Sequence, residues 1–458
     1  MSTQTPTLDG SRHPFDFHHR PGMELRPAPP RIRPSAEWTE LRRRLLSSWI
    51  DVQSMPVITP QIQLLNDHFW EGDRLMDPVV EMFQRAGSGA GRAMFTQALD
   101  HGIESVDEAP PELVALFAQV DRVPDWFDAG SFERGRIALV NGTLFGKFAA
   151  FTVNNVITAL GEAVSAATGS SGRLVRDPLR RQFETSDFFM RVSKPDTADR
   201  YSAGFRNLLL VRLMHAQARR GMRTSWGPEG YAHHGSPISN TDMAFGIPMF
   251  GIMQPMYDAR LGARLQPRTF DDINMFWGYL AFVMGIAEEI IPRSAQDAVR
   301  QMDYMFATLG PGTQWSEELA DALLRYPLEV MVAAVESPTL RRLTRAIGVP
   351  LLCGYTQYIC GKPLAPAMMK SLAPAQRLDR LQHLAAGVAH VSVRASQLAD
   401  RRPGAEARAR GRASDGDPFQ NLMSGLIARA SAKADQSGWT FISHDESTGS
   451  NFDRLVSR

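Results

Sequence analysis

The sequence predicts an all-α protein, and three observations carry the prediction. Apolar residues recur three and four positions apart through most of the chain, as on one face of a helix. Helix-starting signals precede several of these stretches, such as Ser35 before an Ala-Glu pair and the two aspartates Asp271 and Asp272 in a first turn. No series of short strands with alternating apolar residues is present, and β-branched residues are sparse.

The composition excludes several classes of protein. Fifty basic residues against 49 acidic ones give a net charge of +1 over 458 residues, which argues against a nucleic-acid partner. The two cysteines, Cys353 and Cys360, are too few for a disulfide scaffold, a Cys-rich zinc site, an iron–sulfur cluster or covalent haem attachment. They suit a reducing compartment.

Targeting signals are not evident in the sequence. The N-terminus has no apolar stretch of the kind that an export signal requires, and no apolar run reaches the 18 or so residues of a membrane span. The longest apolar run, residues 276–291, is interrupted by Glu288 and Glu289. We therefore expect a soluble cytoplasmic protein without a transmembrane segment; the sequence does not indicate its oligomeric state.

Changes in composition divide the chain into three parts. Residues 1–36 are polar and proline-rich at their end, which predicts a disordered or surface-clinging arm. Residues 37–399 read as a single helical domain. Residues 400–458 are rich in Arg, Ala, Gly, Asp and Ser, which predicts a mostly disordered tail with one amphipathic helix at residues 419–432.

The helices of the central domain follow from periodicity, caps and breakers. A glycine cluster at residues 87–91 is expected to form a loop between two helices, and glycines within residues 131–168 are expected to split or kink that stretch. Predicted helices span residues 35–50, 61–85, 92–101, 110–121, 131–168, 177–192, 202–221, 240–261, 269–291, 295–309, 316–335, 338–347 and 372–397.

The helix at residues 201–222 concentrates the chemistry of the chain. Arg212 and Arg219 flank His215 one turn away on either side. The face of His215 is mostly apolar and includes Leu208, Val211, Ala218 and Met222. An imidazole between two guanidinium groups is what a buried haem requires, since the nitrogen binds iron and the arginines meet the propionates. The same pattern also fits a core histidine with arginines that reach solvent, and these residues alone leave both open.

Other site types have little support. The sequence lacks the HExxH and ExxH spacings of zinc and di-iron sites, the GxSxG turn of hydrolases and the phosphate loop of nucleotide-binding proteins. His233 and His234 are adjacent in a predicted loop, so a metal site there would need further ligands that the sequence does not indicate.

An ordered set of four short motifs resembles the MpaB-type oxygenase family, which includes the latex clearing proteins. The resemblance covers roughly residues 120–350. Its core is R-x-x-H-A-x-x-R, from Arg212 to Arg219. A G-R-L and R-x-x-x-T segment precedes it. A W…G-x-P-I segment follows, and then a stretch with Trp277, Gly285 and Pro292, which is similar to the family's W-x-x-x-G…P segment.

The resemblance implies a globin-like helical core with additional surrounding helices, and a non-covalent haem b with His215 as the proximal iron ligand. Arg212 and Arg219 would then contact the propionates. On the opposite, distal side, the family's R-x-x-K-T pattern places its arginine at Arg181 and its threonine at Thr185. Glu184 occupies the lysine position, a departure from the rubber-cleaving relatives. Glu162 lies nearest to the place of the family's proposed basic glutamate.

These residues have clear chemical capacities. Arg181 stays protonated and can stabilise negative charge that develops on bound O₂, but cannot act as a base. A desolvated carboxylate such as Glu184 or Glu162 can carry a proton. Glu184 is equally suited to an ion pair with Arg180. The hydroxyl of Thr185 is equally suited to a hydrogen bond within its own helix turn. Met and aromatic residues between 243 and 277 fit either a pocket for a long apolar substrate or ordinary core packing.

The sequence thus predicts a haem b-dependent oxygenase of the dioxygenase class that uses O₂ to oxidise or cleave a C=C bond of an isoprenoid or polyisoprene-like substrate. One alternative is a haem protein with another task, such as peroxidase-like turnover, gas sensing or tailoring of a secondary metabolite. The other is a haem-free helical binding or scaffold protein.

Overall fold

The computed structural model describes residues 24–161, 178–309, 337–361 and 375–414, with single positions at 332, 335, 416, 417, 419, 421 and 425. Within these residues all regular structure is helical and no strand occurs, which confirms the all-α part of the predicted fold class. The first helices are α1 (Thr39–Leu46), α2 (Pro60–His68), α3 (Met76–Ala86), α4 (Ser88–His101), α5 (Pro111–Val120), α6 (Ala129–Val140) and α7 (Leu144–Leu160). The middle of the chain forms α8 (Pro178–Val192), α9 (Ala203–His234), α10 (Asn240–Ala244), α11 (Gly246–Phe250), α12 (Met253–Arg260), α13 (Pro267–Val283) and α14 (Ala295–Ala307).

The C-terminal part contributes α15 (Pro338–Cys360), α16 (Ala375–Asp400) and α17 (Ala405–Ala413), and two short 3₁₀ helices lie at Ile103–Ser105 and Glu288–Ile290. None of the helices in the described part of the chain has both the length and the apolar character that crossing a bilayer requires. The predicted helix at residues 316–335 lies almost wholly outside the described residues.

The most extensive helix pairings are α6 with α13 and α15 with α16, and α9 packs against α3, α8 and α13. Close approach of α6 to α13 depends on Gly135, because a Cβ there would lie 2.0 Å from the carbonyl oxygen of Asp272. The carboxylate of Asp272 in turn accepts hydrogen bonds from Ser131 and Arg134. The close contact of α6 with α13 positions α13, and α9 packs against α13.

Several predicted helix ends are confirmed. Residues 131–168 are divided, since α6 ends at Val140 and Thr143 caps α7 by accepting from the backbone N–H of Gly146. Ser202 caps α9 through the N–H of Phe205, and Ser239 caps α10 through the N–H of Asp242.

Other boundaries differ from the prediction near the N-terminus. Ser35 does not cap α1; its backbone N–H donates to the carbonyl of Ala307, and α1 begins four residues later. Residues 61–85 form two helices, because the Asp73 carboxylate accepts the N–H groups of Leu75 and Met76 and starts α3 anew. In the glycine cluster only Gly87 leaves the helical conformation, with φ of +85°, so α4 begins at once.

The central helix and the tail also extend beyond the prediction. α9 continues past residue 222 and kinks at Gly227, where φ is +62°, before a last segment that ends at His234. Residues 405–413, expected to be part of a mostly disordered tail, form α17. Arg136 holds α17 by donating to the carbonyl of Ala413 over 2.8 Å. Most of the predicted helix at residues 419–432 lies outside the described residues.

Candidate functional site

The middle of α9 carries the predicted iron ligand. From residue 207 to residue 213 every side chain of this helix is buried. Beyond this stretch, His215 and Ala218 are only half-buried, although they lie between the buried Arg212 and Arg219. Because His215 and Ala218 are one turn apart, they lie on one face of α9, and neither side chain is fully covered. A flat ligand requires such a face, with an imidazole and a small neighbour.

The two nitrogens of His215 differ in their surroundings. Nδ1 is buried within the protein. This leaves Nε2 as the nitrogen through which the imidazole would ligate a metal, with Nδ1 directed into the protein as in most histidine ligands. The donor chemistry of the site therefore fits a haem iron.

Arg212 lies in a buried ion pair. Its Nε donates to Oδ2 of Asp73 over 2.6 Å and its Nη2 to Oδ1 over 2.9 Å, while Nη1 donates to Oε1 of Gln119 over 2.7 Å and to the carbonyl of Val283 over 2.9 Å. Burial by itself raises the pKa of Asp73, but the charge and hydrogen bonds of Arg212 outweigh it, and the net shift is downward. Asp73 is thus held as a carboxylate.

A glycine makes room for this pair. Gly285 has φ of +84°, and a Cβ there would lie 2.2 Å from Asp73 Oδ2 and 2.5 Å from Arg212 Nε. Both the conformation and the space at this position therefore require glycine.

Arg219 lies in a second buried cluster. Its Nη1 donates to Asp77, and its Nε and Nη2 donate to the carbonyl of Ile238 over 3.1 and 2.9 Å. Ile238 has a positive φ of 47°, which is rare for a β-branched residue, and the two hydrogen bonds from Arg219 hold it there. Gly72 passes so close that a Cβ would lie 2.6 Å from Arg219 Cδ.

These contacts bear on the predicted propionate role of the two arginines. Four of the five N–H groups of Arg212 are directed at protein acceptors, and the donors of Arg219 at Asp77 and Ile238. The geometry favours a structural role, in which one ion pair fixes α9 on each side of His215. The propionate contact itself stays a prediction.

The distal residues are only partly described. α8, which carries them, packs against α9. Thr185 is half-buried on this helix. The side chains of Arg181 and Glu184, and the whole of Glu162, lie outside the described residues, so their predicted roles stay predictions.

An aromatic wall adjoins α8. Phe189 packs edge-to-face on Phe250 and Trp277, with ring centroids 5.1 and 5.8 Å away. Phe250 and Trp277 also contact each other, at 5.7 Å. The Nε1–H of Trp277 is buried and has no hydrogen-bond partner among the described residues.

Two members of the predicted Met and aromatic stripe, Phe245 and Met249, line a cavity of about 80 Å³. Ile157, Met305 and Leu309 supply more of its apolar wall. Most other members of the stripe are core residues; Met253 and Phe276 are almost fully buried. The stripe thus serves mainly in packing, and a smaller part of it lines open space.

The acidic partners Asp73 and Asp77 and the amide of Gln119 were missed by the sequence analysis. Their signal is weak: Asp73 and Asp77 are two acidic residues at the start of a largely apolar stretch. Nothing in the sequence, however, indicates which arginines they meet.

No metal cluster accompanies His233 and His234. Within the described part of the chain no three His, Cys, Asp or Glu residues come together to hold an ion. The rings of His233 and His234 meet edge-to-face, and the ring of His234 also contacts Trp226.

These features define an all-α protein in which one long helix, α9, carries a half-buried imidazole between two buried ion pairs. The model of the family described as "ER-bound oxygenase mpaB/B'/Rubber oxygenase, catalytic domain" matches residues 136–389, and the chain belongs to this family. The domain is that of an oxidoreductase which uses O₂.

A solved structure has the same fold. It is titled "Structure of Latex Clearing Protein LCP in the closed state", and the two chains share 16% sequence identity with a TM-score of 0.56. The match covers 86% of this chain and 96% of the other. No curated protein gives a significant sequence match.

Proposed function

We propose that the protein is a haem b-dependent oxygenase, acting as a dioxygenase, that oxidises or cleaves a C=C bond of an apolar, isoprenoid-like substrate. The observation that carries the proposal is the accessible face of His215, set between two buried arginine–aspartate pairs. Membership of the oxygenase family supports the reaction class.

Each residue of the site would have a separate role. His215 would ligate the iron through Nε2, and Ala218 would let the ring approach the helix. When bound, haem b supplies the iron at which O₂ is activated. Arg181 would donate to the oxygen on the distal side, and Glu184 or Glu162 would hold or accept a proton there. The apolar walls would exclude water and receive the hydrocarbon.

An absorption spectrum tests the cofactor. We expect the purified, haem-supplemented protein to show a Soret band, and His215→Ala to lose it while its far-UV circular dichroism is unchanged. His383→Ala, in which an exposed histidine of α16 is replaced, is the matched control and should keep the band. A Soret band that survives in His215→Ala would disprove the ligand assignment.

Turnover tests the reaction. With an isoprenoid alkene, we expect O₂ consumption and new carbonyl groups, both reduced about 100-fold or more in Arg181→Ala, because removal of one oxyanion donor typically costs that much. If the protein binds haem but consumes no O₂ with any alkene, a sensor or another haem function replaces this proposal.

A further inference from the structure

The cavity of about 80 Å³ lies where the N-terminal arm meets the helical core. Arg31 and Ile32 of the arm line it on one side. The other walls come from the end of α7, from α10 and α11, and from the end of α14. Since one water molecule needs about 10–15 Å³ of cavity volume, the cavity has room for about five to eight non-hydrogen atoms.

The helical walls of the cavity are mainly apolar. Phe245, Met249 and Met305 contribute large side chains that are almost fully buried in the protein. Two threonines of the lining, Thr158 and Thr308, donate their hydroxyl groups to carbonyls four residues earlier in the chain, over 2.8 and 2.9 Å. The charged groups that a ligand would meet are therefore those of the arm and of α10.

Arg31 brings a guanidinium group to the cavity. Its side chain is only 6% exposed. Nε donates to the carbonyl of His234 over 2.6 Å, and Nη2 donates to both carboxylate oxygens of Asp242, over 3.1 and 2.9 Å. Nη1 donates to no acceptor in the part of the chain that the structure describes, so its two N–H groups are available to a ligand.

Asp242 supplies the complementary acceptor. Its Oδ2 accepts from Arg31 and also from the hydroxyl of Ser239, the latter over 2.7 Å. Among the described residues its Oδ1 accepts from Arg31 alone, and a carboxylate oxygen can accept a second hydrogen bond. The charges of Arg31 and Asp242 balance each other. The pair thus offers a donor and an acceptor, without net charge, beside apolar walls.

We propose that this cavity binds a short aliphatic alcohol of about five to seven carbon atoms. A hydroxyl group can accept from Nη1 of Arg31 and donate to Oδ1 of Asp242 at the same time. Phe245, Met249 and Met305 would cover the hydrocarbon chain, and methionine side chains adapt readily to such a ligand. The proposal needs neither haem nor an alkene and stands apart from the proposed function.

Charge and hydrogen bonding disfavour two other ligands of the same size. A carboxylate would bring a second negative charge next to Asp242, although the charge of Arg31 is already balanced. A hydrocarbon would displace water from the ion pair and offer no hydrogen bond in return. An alcohol avoids both costs.

Methionine NMR of the full chain tests the proposal, because Met249 and Met305 report on the cavity among 21 methionines. In protein with ¹³C-labelled methionine methyl groups, 1-hexanol should shift these two signals, which Met249→Leu and Met305→Leu assign. The shifts should saturate with a dissociation constant of about 1 mM or lower, as burial of a six-carbon chain allows. Met76 and Met82 are buried but do not line the cavity, and their signals should stay in place. Hexanoate should bind at least about tenfold more weakly.

Two variants test the lining itself. Ile32→Trp places a larger side chain at the cavity and should abolish the shifts. Its matched control is Ile58→Trp, at a half-exposed isoleucine that does not line the cavity, and it should bind like the unaltered chain. Arg31→Lys lacks Nη1 and should bind 1-hexanol at least about tenfold more weakly, because a hydrogen bond from a charged donor is lost. Circular dichroism verifies that the variants fold.

Unchanged Met249 and Met305 signals, or equal shifts at Met76 and Met82, would overturn the proposal. So would equal affinity for hexanoate, or full binding by Ile32→Trp or Arg31→Lys. The comparison of 1-hexanol with hexanoate uses the unaltered chain and decides the question even if a variant folds poorly.

Discussion

At the scale of single residues, the buried pairs beside His215 show how charge can fix a site without taking part in its chemistry. Arg212 and Asp73 are both almost fully buried, and each gives up its hydration. Such a pair adds little net stability over an apolar contact, yet losing one partner leaves an uncompensated charge in the core. The pair therefore selects one position of α9 and excludes others.

We expect Asp73→Ala to lower the free energy of unfolding by about 3–5 kcal/mol, because Arg212 would stay buried without its carboxylate. Urea denaturation at neutral pH measures the change. Arg220→Ala is the matched control on the same helix; its side chain is exposed, and the expected change is within about 0.5 kcal/mol. An effect of Asp73→Ala no larger than that of the control would show that the pair does not hold α9.

At the scale of elements, the sequence predicts a helix end well where residues close in sequence determine that end. Caps such as Ser202 and Ser239 fix a helix start through one side-chain hydrogen bond, and both were predictable. The break before α3 was not predictable. The Asp73 carboxylate accepts hydrogen bonds from nearby backbone N–H groups and also from Arg212, which lies 139 residues away along the chain. Likewise α17 has a polar sequence, and its order depends on distant donors such as Arg136.

The same difference between local signals and long-range contacts applies to the predicted site. His215 and its flanking arginines were found because they follow one another at helical spacing, and the family motifs gave them a role. What the arginines bind could not be predicted, since Asp73, Asp77 and the carbonyl of Ile238 come from other parts of the chain. Local periodicity identifies the face of a helix, and long-range packing decides the partner.

At the junction of α7 and α12, the buried carboxyl group of Asp258 should make the free energy of unfolding depend on pH. Burial raises the pKa of Asp258 to about 6, although hydrogen bonds from Thr143 oppose the shift. Since the folded pKa exceeds the ordinary value of 3.8, the ionised carboxylate destabilises the fold above about pH 6. This cost disappears as the pH falls from 6 towards 3.8.

We expect Asp258→Asn to remove this pH-dependent cost, because an amide carries no charge; its single oxygen keeps one of the two hydrogen bonds that Thr143 donates. Relative to the unaltered chain, the variant should gain up to about 3 kcal/mol in unfolding free energy between pH 4 and neutral pH. Urea denaturation of both proteins across this range measures the difference. A difference that is constant with pH would mean that Asp258 does not titrate in this window.

At the scale of the whole molecule, segments from both ends of the chain are tied to the central helices. Near the C-terminus, Lys147 of α7 forms a buried ion pair with Asp417 over 2.6 Å. Near the N-terminus, residues 24–34 contact α2 and the end of α9, where Arg31 Nε donates to the carbonyl of His234 over 2.6 Å. Arg31 also pairs with Asp242 of α10 over 2.9 Å. Residues 24–34 of the predicted arm therefore make specific contacts with the folded helices.

Arg26 makes the arm part of the core. It donates to both oxygens of Asp67, over 2.6 and 3.0 Å, and to Glu71 over 3.1 Å. Both carboxylates are almost fully buried. Burial tends to raise the pKa of Asp67, but Arg26 reverses the shift, while for Glu71 burial prevails and its pKa is raised.

These contacts predict opposite outcomes for two truncations of similar length. A chain that starts at residue 23 keeps Arg26, Arg31 and the hydrogen bond from Trp70 Nε1 to the carbonyl of Pro27, so its unfolding midpoint should equal that of the full chain. A chain that starts at residue 35 loses all three and leaves two buried carboxylates without the Arg26 guanidinium. We expect it to be less stable by about 3–5 kcal/mol, as when one partner of a buried ion pair is removed. Thermal and urea denaturation compare the three chains, and Arg26→Gln in the full chain should reproduce most of the loss. Equal midpoints for both truncations would show that the arm only rests on the surface, whereas a loss confined to the shorter chain would make residues 24–34 part of the folded domain.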